Sequence, residues 1–226
     1  MSSDPRWPRM TLRQAGVNLI DCDHRTPPAA DAGFPYIAIP QLKDGHLDLT
    51  DVRRISEADF IEWTKKLKPR AHDVIVVRRC NSGDSALIPP DLECAIGQNL
   101  VVLRSESGVV HPKFLRWLVR GPEWWDQVGK YINVGAVFDS LRCRDIPNFE
   151  LTVPPPADQA EIAAEATGVA EQARGEGREA DARHAHLLQE VALGYSPPRE
   201  IHRRVGDEGF LVIVLEAHRD PPMGLS

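Results

Sequence analysis

No apolar run in the 226-residue sequence approaches the ~20 residues that cross a bilayer, which excludes a helical membrane span. The N-terminal MSSDPRWPRM lacks the charged-then-apolar pattern of a secretory signal, so a cytoplasmic location is the expectation. Four cysteines, Cys22, Cys80, Cys94 and Cys143, are scattered without a CxxC pair. That spacing argues against a disulfide framework or a zinc knuckle and for buried thiols. There is no HExxH, no nucleophile elbow and no carboxylate pair at a diagnostic spacing, so no catalytic residue is assigned. The missing nucleophile–base pair also argues against a small-molecule α+β hydrolase. NVGAVFD (133–139) is a glycine-containing loop outside any GKS or GxGxxG frame, and no cofactor is expected.

A net excess of either charge is missing from most of the chain. Residues 1–155 carry 20 Lys+Arg against 20 Asp+Glu, whereas residues 156–226 carry 7 against 13 and hold the whole net charge of −6. The first body is therefore neutral overall but has local basic groups: Arg53-Arg54, Lys65-Lys66-Lys68-Arg70 and Arg78-Arg79. A basic face stays open on these grounds; composition alone does not decide it.

Punctuation by proline and glycine sets out the elements. PYIAIP (35–40) reads as a short buried strand, followed by a turn at Asp44-Gly45. Ser56 is placed to cap a helix running to about Leu67, ended by Pro69. DVIVVRR (73–79) and NLVVLR (99–104) are the clearest strands, with a tight turn at Asn81-Ser82-Gly83-Asp84 and a strand over Ser85–Ile88 between them. His111–Val119 and Glu123–Ile132 are amphipathic helices with Pro112 and Pro122 in first-turn positions. Asn148–Val153 is the last strand of a mixed α+β body with a small twisted sheet. Pro154–Pro156 then form a stiff strut into a helix start, with Asp158 as a cap and Glu161 three residues on. Beyond it Ile162, Ala166, Val169, Ala173, Ala180 and Leu187 follow the alternating spacing of a coiled-coil seam, interrupted by Glu176, Arg183 and three glycines. A continuous helix over 158–195 would be ~55 Å long and would need a partner helix; a loosely ordered acidic tail is the alternative.

In this order the segments resemble a target-recognition domain from the specificity (S) subunit of a type I restriction-modification enzyme. IDCDHRTP (20–27) is similar to the family's opening segment, GFPYIAIPQLKDGHLDL (33–49) to its G-x-P-Y-I stretch, and RRISEADF (53–60) to the helix start that follows. RAHDVIVVRRCNSGDSALI (70–88) resembles the G-D-I hairpin, with Ala71-His72 where a glycine is usual. CAIGQNLVVLR (94–104) resembles the Q-x-hydrophobic-x-L-R strand, and VGAVFDSLRCRDIPNFELTVPPPADQAEI (134–162) the closing I-P-x-P-P…Q-x-x-I passage. The resemblance implies a DNA-binding recognition domain over 1–153, a proline joint at 154–157, and a spacer and dimerisation helix over 158–195. Residues 196–226, with the strand-like FLVIVLEA (210–217), have no counterpart in it. A complete S subunit resembles two such units in tandem and this chain has one. The implied partners are double-stranded DNA, methyltransferase subunits, a restriction motor subunit, and a second copy or another half subunit. The adenine methyltransferase Asn-Pro-Pro-Tyr type motif is absent, so the chain itself is expected to be a reader and not an enzyme.

The candidate DNA-contacting residues follow from side-chain chemistry. His24, Arg25 and Thr26 read either as donors near phosphate or a base edge, or as a turn fixed by Pro27-Pro28. Arg78, Arg79, Asn81 and Ser82 place guanidiniums and an amide at the end of a rigid strand, where Arg suits guanine and Asn adenine; the bland reading is solvated charge. Lys65 and Lys66, with Lys68 and Arg70, suit phosphate contacts that position without specifying. Gln98 is either a reader or a satisfied structural amide. Trp63, Trp117, Trp124 and Trp125 sit among helix-periodic apolar residues and read as core. Asp21-Cys22-Asp23-His24 is assigned no metal, because adjacent strand residues face opposite ways and no second ligand pair is spaced to join them. The leading expectation is a half-size S subunit reading one half of a bipartite site. The alternative is a degenerate recognition domain that has lost DNA binding and acts as a decoy.

Overall fold

The computed structural model describes residues 7–134, 139–175, 203–205 and 211–213. From the N-terminus run β1 (Arg9–Thr11), β2 (Val17–Asp21) and β3 (Phe34–Ile37), then the hairpin β4 (Leu42–Lys43) and β5 (His46–Leu47). β6 (Arg53–Ile55) leads into α1 (Glu57–Thr64), followed by β7 (Val74–Val77), β8 (Ser85–Leu87), β9 (Ala95–Ile96) and β10 (Leu100–Ser105). Helices α2 (Pro112–Leu118) and α3 (Pro122–Tyr131) precede β11 (Asn133–Val134), β12 (Asp139–Ser140), β13 (Glu150–Thr152) and α4 (Pro156–Gly175). Far along the chain β14 (Arg203–Val205) pairs with β15 (Leu211–Ile213), which falls within FLVIVLEA.

The central sheet has the order β2-β10-β7-β8, all antiparallel. Its period of two divides the apolar layers. Val74, Val76, Val101 and Leu103 face a core built by Phe114, Trp117, Trp124 and Phe149. Ile75, Val77, Leu100 and Val102 face the opposite side, against Ile37, Leu67, Ile88 and Ile96. A smaller sheet, β6-β3-β9, adds the third cluster around Tyr36, Ile55 and Phe60. The α+β expectation is what the structure shows.

Ser56 caps α1 as expected, its hydroxyl accepting the Asp59 N–H at 3.1 Å, although the helix ends at Thr64. Two local expectations are corrected. PYIAIP is not one strand: β3 stops at Ile37 and Ile39–Gln41 forms a 3-10 turn, because Pro40 offers no N–H to a ladder. At the strut, α4 begins at Pro156, which suits the first turn through its fixed φ, so Asp158 lies inside that turn instead of capping it. Trp117 and Trp124 are core, whereas Trp63 is half-buried and Trp125 is 40% exposed. Residues 176–195 of the expected long helix lie outside the described residues. Within α4, Ile162 and Ala166 of the coiled-coil spacing are buried with Ala163 in the domain's own core.

His72, standing where the resemblance expects glycine, has φ +68°. An L side chain in that left-handed region costs about 1–2 kcal/mol. His72→Gly is therefore expected to raise stability by roughly 1 kcal/mol, read as a higher urea midpoint with an unchanged slope. Burial lowers the imidazole pKa, with Lys113 and His111 adding repulsion. A depressed histidine destabilises the fold as pH falls through its unfolded value of about 6.5, and the glycine variant should lack that part of the acid sensitivity.

Candidate nucleic-acid interface

Strand register brings distant segments to one end of the central sheet. Asp21 at the end of β2 stands opposite Val101, and Val77 at the end of β7 opposite Leu100. The chain leaving β2 (His24, Arg25, Thr26), the chain leaving β7 (Arg78, Arg79, Asn81) and the chain entering β10 (Gln98) therefore emerge together. Lys66 joins them from beyond α1, its ammonium donating to the Cys22 carbonyl at 3.2 Å. Ser82 does not face outward: it is 4% exposed, and its hydroxyl has no partner among the described residues. The turn carrying it is pinned to α3, where the Trp124 indole N–H donates to the Gly83 carbonyl at 2.9 Å. Gly83, at φ +104°, leaves no room for a Cβ beside Trp125 and Val128.

The His24–Thr26 loop is held from several sides. The Trp63 indole N–H donates to the Arg25 carbonyl at 3.0 Å, and the Tyr36 hydroxyl donates to the same oxygen at 3.2 Å. That hydroxyl also accepts the Gln98 N–H at 3.3 Å, while the Gln98 amide donates to the Thr26 hydroxyl at 3.0 Å. Gln98 is thus a satisfied amide whose satisfaction orients the loop. The Arg25 guanidinium lies 4.7 Å from the centre of the Trp63 ring and 2.7 Å from Asp23, whose carboxyl this hydrogen bond holds below the usual range. Trp63 and Tyr36 were missed as site residues; only the long-range packing of α1 and β3 under the loop shows their part. Trp63→Phe keeps an aromatic ring beside Arg25 but removes the pyrrole ring with its N–H. It is expected to cost about 1 kcal/mol and to raise amide exchange at residues 24–26 first.

On the β7 side, Arg78 is tied by its backbone, its N–H donating to Asn99 and its carbonyl accepting from Leu141. Its Nε is buried without a partner among the described residues. Burial pushes the Cys22 thiol up to about 11, and Arg78 pulls the other way. Arg79 and Asn81 are exposed. Cys80 and Asn81 have φ +56° and +54°, consecutive left-handed residues of the kind that cluster where a chain is held for function.

Asp21, Cys22 and His24 place one donor atom each within 4.8 Å of one another, since the chain bends as soon as β2 ends. Alternation along a strand is therefore no argument against their meeting. The Cys22 thiol is buried and donates to the Gly97 carbonyl at 3.0 Å, and Lys66 already supplies a cation 4.0 Å from Asp21.

No protein-family model and no curated protein matches the sequence. Solved structures do match in fold. A chain from a structure addressing complex assembly and conformational transition of the type I R-M system gives a TM-score of 0.56 at 17% identity, covering 86% of this chain and 46% of that one. The type I restriction-modification S subunit from M. genitalium gives 0.53 at 14% identity, covering 77% and 42%. The HsdS subunit from Thermoanaerobacter tengcongensis gives 0.52 at 18% identity, covering 86% and 45%. The chain spans less than half the length of each. Its neighbours in fold are the specificity subunits of type I restriction-modification systems.

Proposed function

We propose that this chain is a DNA-recognition subunit of a type I restriction-modification system. It reads one half of a bipartite duplex target and docks methyltransferase subunits along α4 and the chain beyond it; a motor subunit would add cleavage. The observation that carries this reading is the convergence of Arg25, Lys66, Arg78, Arg79, Asn81 and Gln98 at one end of a sheet whose fold is that of S subunits. Arg79 and Asn81 sit on a turn anchored to α3, which suits base-edge contact; Lys65 and Lys66 suit phosphate. Pairing with a second copy would give two-fold symmetry and an inverted-repeat target. The second reading, a decoy without DNA binding, is favoured by one observation: Arg25 and Lys65 at this end are already paired with carboxylates.

Co-expression with a cognate methyltransferase subunit, followed by mapping of modified adenines, tests the reading. A bipartite motif is expected, symmetric for self-pairing and asymmetric for pairing with a different half. No motif, with the methyltransferase active alongside another S subunit, overturns it and leaves the decoy. On the mapped target, Arg79→Ala is expected to weaken binding by about 1–3 kcal/mol and to relax the preference at one base position.

A further inference from the structure

The cations of the segment after α1 do not stand alone. Lys65 is bonded to Glu62 one turn back. Lys68 reaches Glu93 at 2.9 Å, from the chain before β9, and Arg70 reaches Glu106 at 3.7 Å, just past β10. The same segment lines an open cleft of about 360 Å³ with Arg104 beside it, a trough with basic walls whose charge is compensated. Arg79 differs: no carboxylate lies within ion-pair distance of it among the described residues.

We propose that Glu62, Glu93 and Glu106 are specificity-determining residues, which occupy the cations of this trough until a phosphate displaces them and so suppress binding to DNA that lacks the target. The inference rests on the DNA-recognition reading above. Glu62 on α1, Glu93 before β9 and Glu106 past β10 meet Lys65, Lys68 and Arg70 of one segment, with Lys66 between them 4.0 Å from Asp21, so two of the three pairings are set by tertiary structure and not by helix spacing. The pairs are 43–67% exposed, weak enough for a phosphate to compete for each cation. Binding without sequence preference comes almost wholly from phosphate contacts and counterion release. A target adds base-edge contacts through Arg79 and Asn81, which lie outside the compensated row. Random DNA has only phosphates to offer and must displace these acids, whereas a target held at Arg79 and Asn81 keeps its affinity with the acids in place, so the compensation weakens random DNA more than the target.

The full chain is titrated with two labelled duplexes, one carrying the mapped motif and one scrambled, across a salt series. The variant Glu62→Gln/Glu93→Gln/Glu106→Gln is compared with Asp31→Asn/Asp51→Asn/Asp91→Asn, which makes the same change of charge on exposed positions outside the trough and outside α4. The trough variant is expected to bind scrambled DNA about tenfold tighter or more, with a log–log salt slope steeper by roughly 2 to 3. Its target affinity should rise less, so that the specificity ratio falls, while the control variant changes both duplexes equally and slightly. Equal effects from the two variants, or an unchanged ratio in the trough variant, overturn the proposal alone. A wild-type chain that binds neither duplex overturns the recognition reading and this inference with it.

Discussion

An Asp73→Ala variant is expected to lose about 3–5 kcal/mol of folding free energy and to melt roughly 10 °C below the wild type. Asp73 is 2% exposed and meets Arg104 on β10 through two parallel bonds, Nε to Oδ1 at 2.8 Å and Nη2 to Oδ2 at 2.7 Å. Neither group has water to fall back on, so removing the carboxylate strands a buried guanidinium. The damage should spread to the basic segment. Asp73 also accepts the Arg70 N–H at 2.8 Å, and Arg104 donates to the Lys68 carbonyl at 3.0 Å. The pair is therefore what fixes Lys68 to Arg70 against the sheet. An Asp73→Ala/Arg104→Met double variant should recover much of the loss, because an apolar pair leaves no uncompensated charge. Equal melting of the single and double variants would show that Arg104 finds other partners and that the pair is dispensable.

This network illustrates what could and could not be read along the chain. Strand β7 and strand β10 are legible because the β-branched and leucine runs that fill both faces of a sheet are local features. The helix starts at Ser56, Pro112 and Pro122 are legible because capping and proline act within one turn. Lys68 and Arg70 were visible as a basic group, but their partners Glu93 and Glu106 lie 25 and 36 positions further on, brought back by the pairing of β9 with β3 and of β10 with β2 and β7. Trp63 looked like core because its apolar spacing is helical, yet its indole N–H serves a loop 38 residues away. Ser82 failed the other way: its polarity suggested exposure, and α3 covers the turn that carries it. Side-chain types and strand periods are written locally, whereas the direction a polar group faces depends on contacts far away in sequence.

Gln159→Leu is expected to cost about 2–4 kcal/mol and, beyond stability, to loosen α4 from the domain. Gln159 is fully buried in the first turns of the helix and makes three backbone bonds. Its carbonyl accepts the His111 N–H at 2.6 Å, and its amide donates to Val109 at 2.8 Å and Pro154 at 2.6 Å. Leucine matches its bulk roughly but leaves one N–H and two carbonyls without partners. Ile162, Ala163 and Ala166 continue the same face into the core, so this amide marks where the helix direction is set. Ile162→Ala is the matched comparison, since it removes apolar packing from that face and strands no polar group. Hydrogen exchange should show the loop before α2 and the first turns of α4 opening together in Gln159→Leu and more evenly in Ile162→Ala. If the helix sets the separation of two half-sites, methylation directed by Gln159→Leu should tolerate a wider range of spacer lengths at unchanged half-site sequences. A spacer preference as narrow as wild type, in a variant whose exchange shows α4 loosened, would separate helix docking from target geometry.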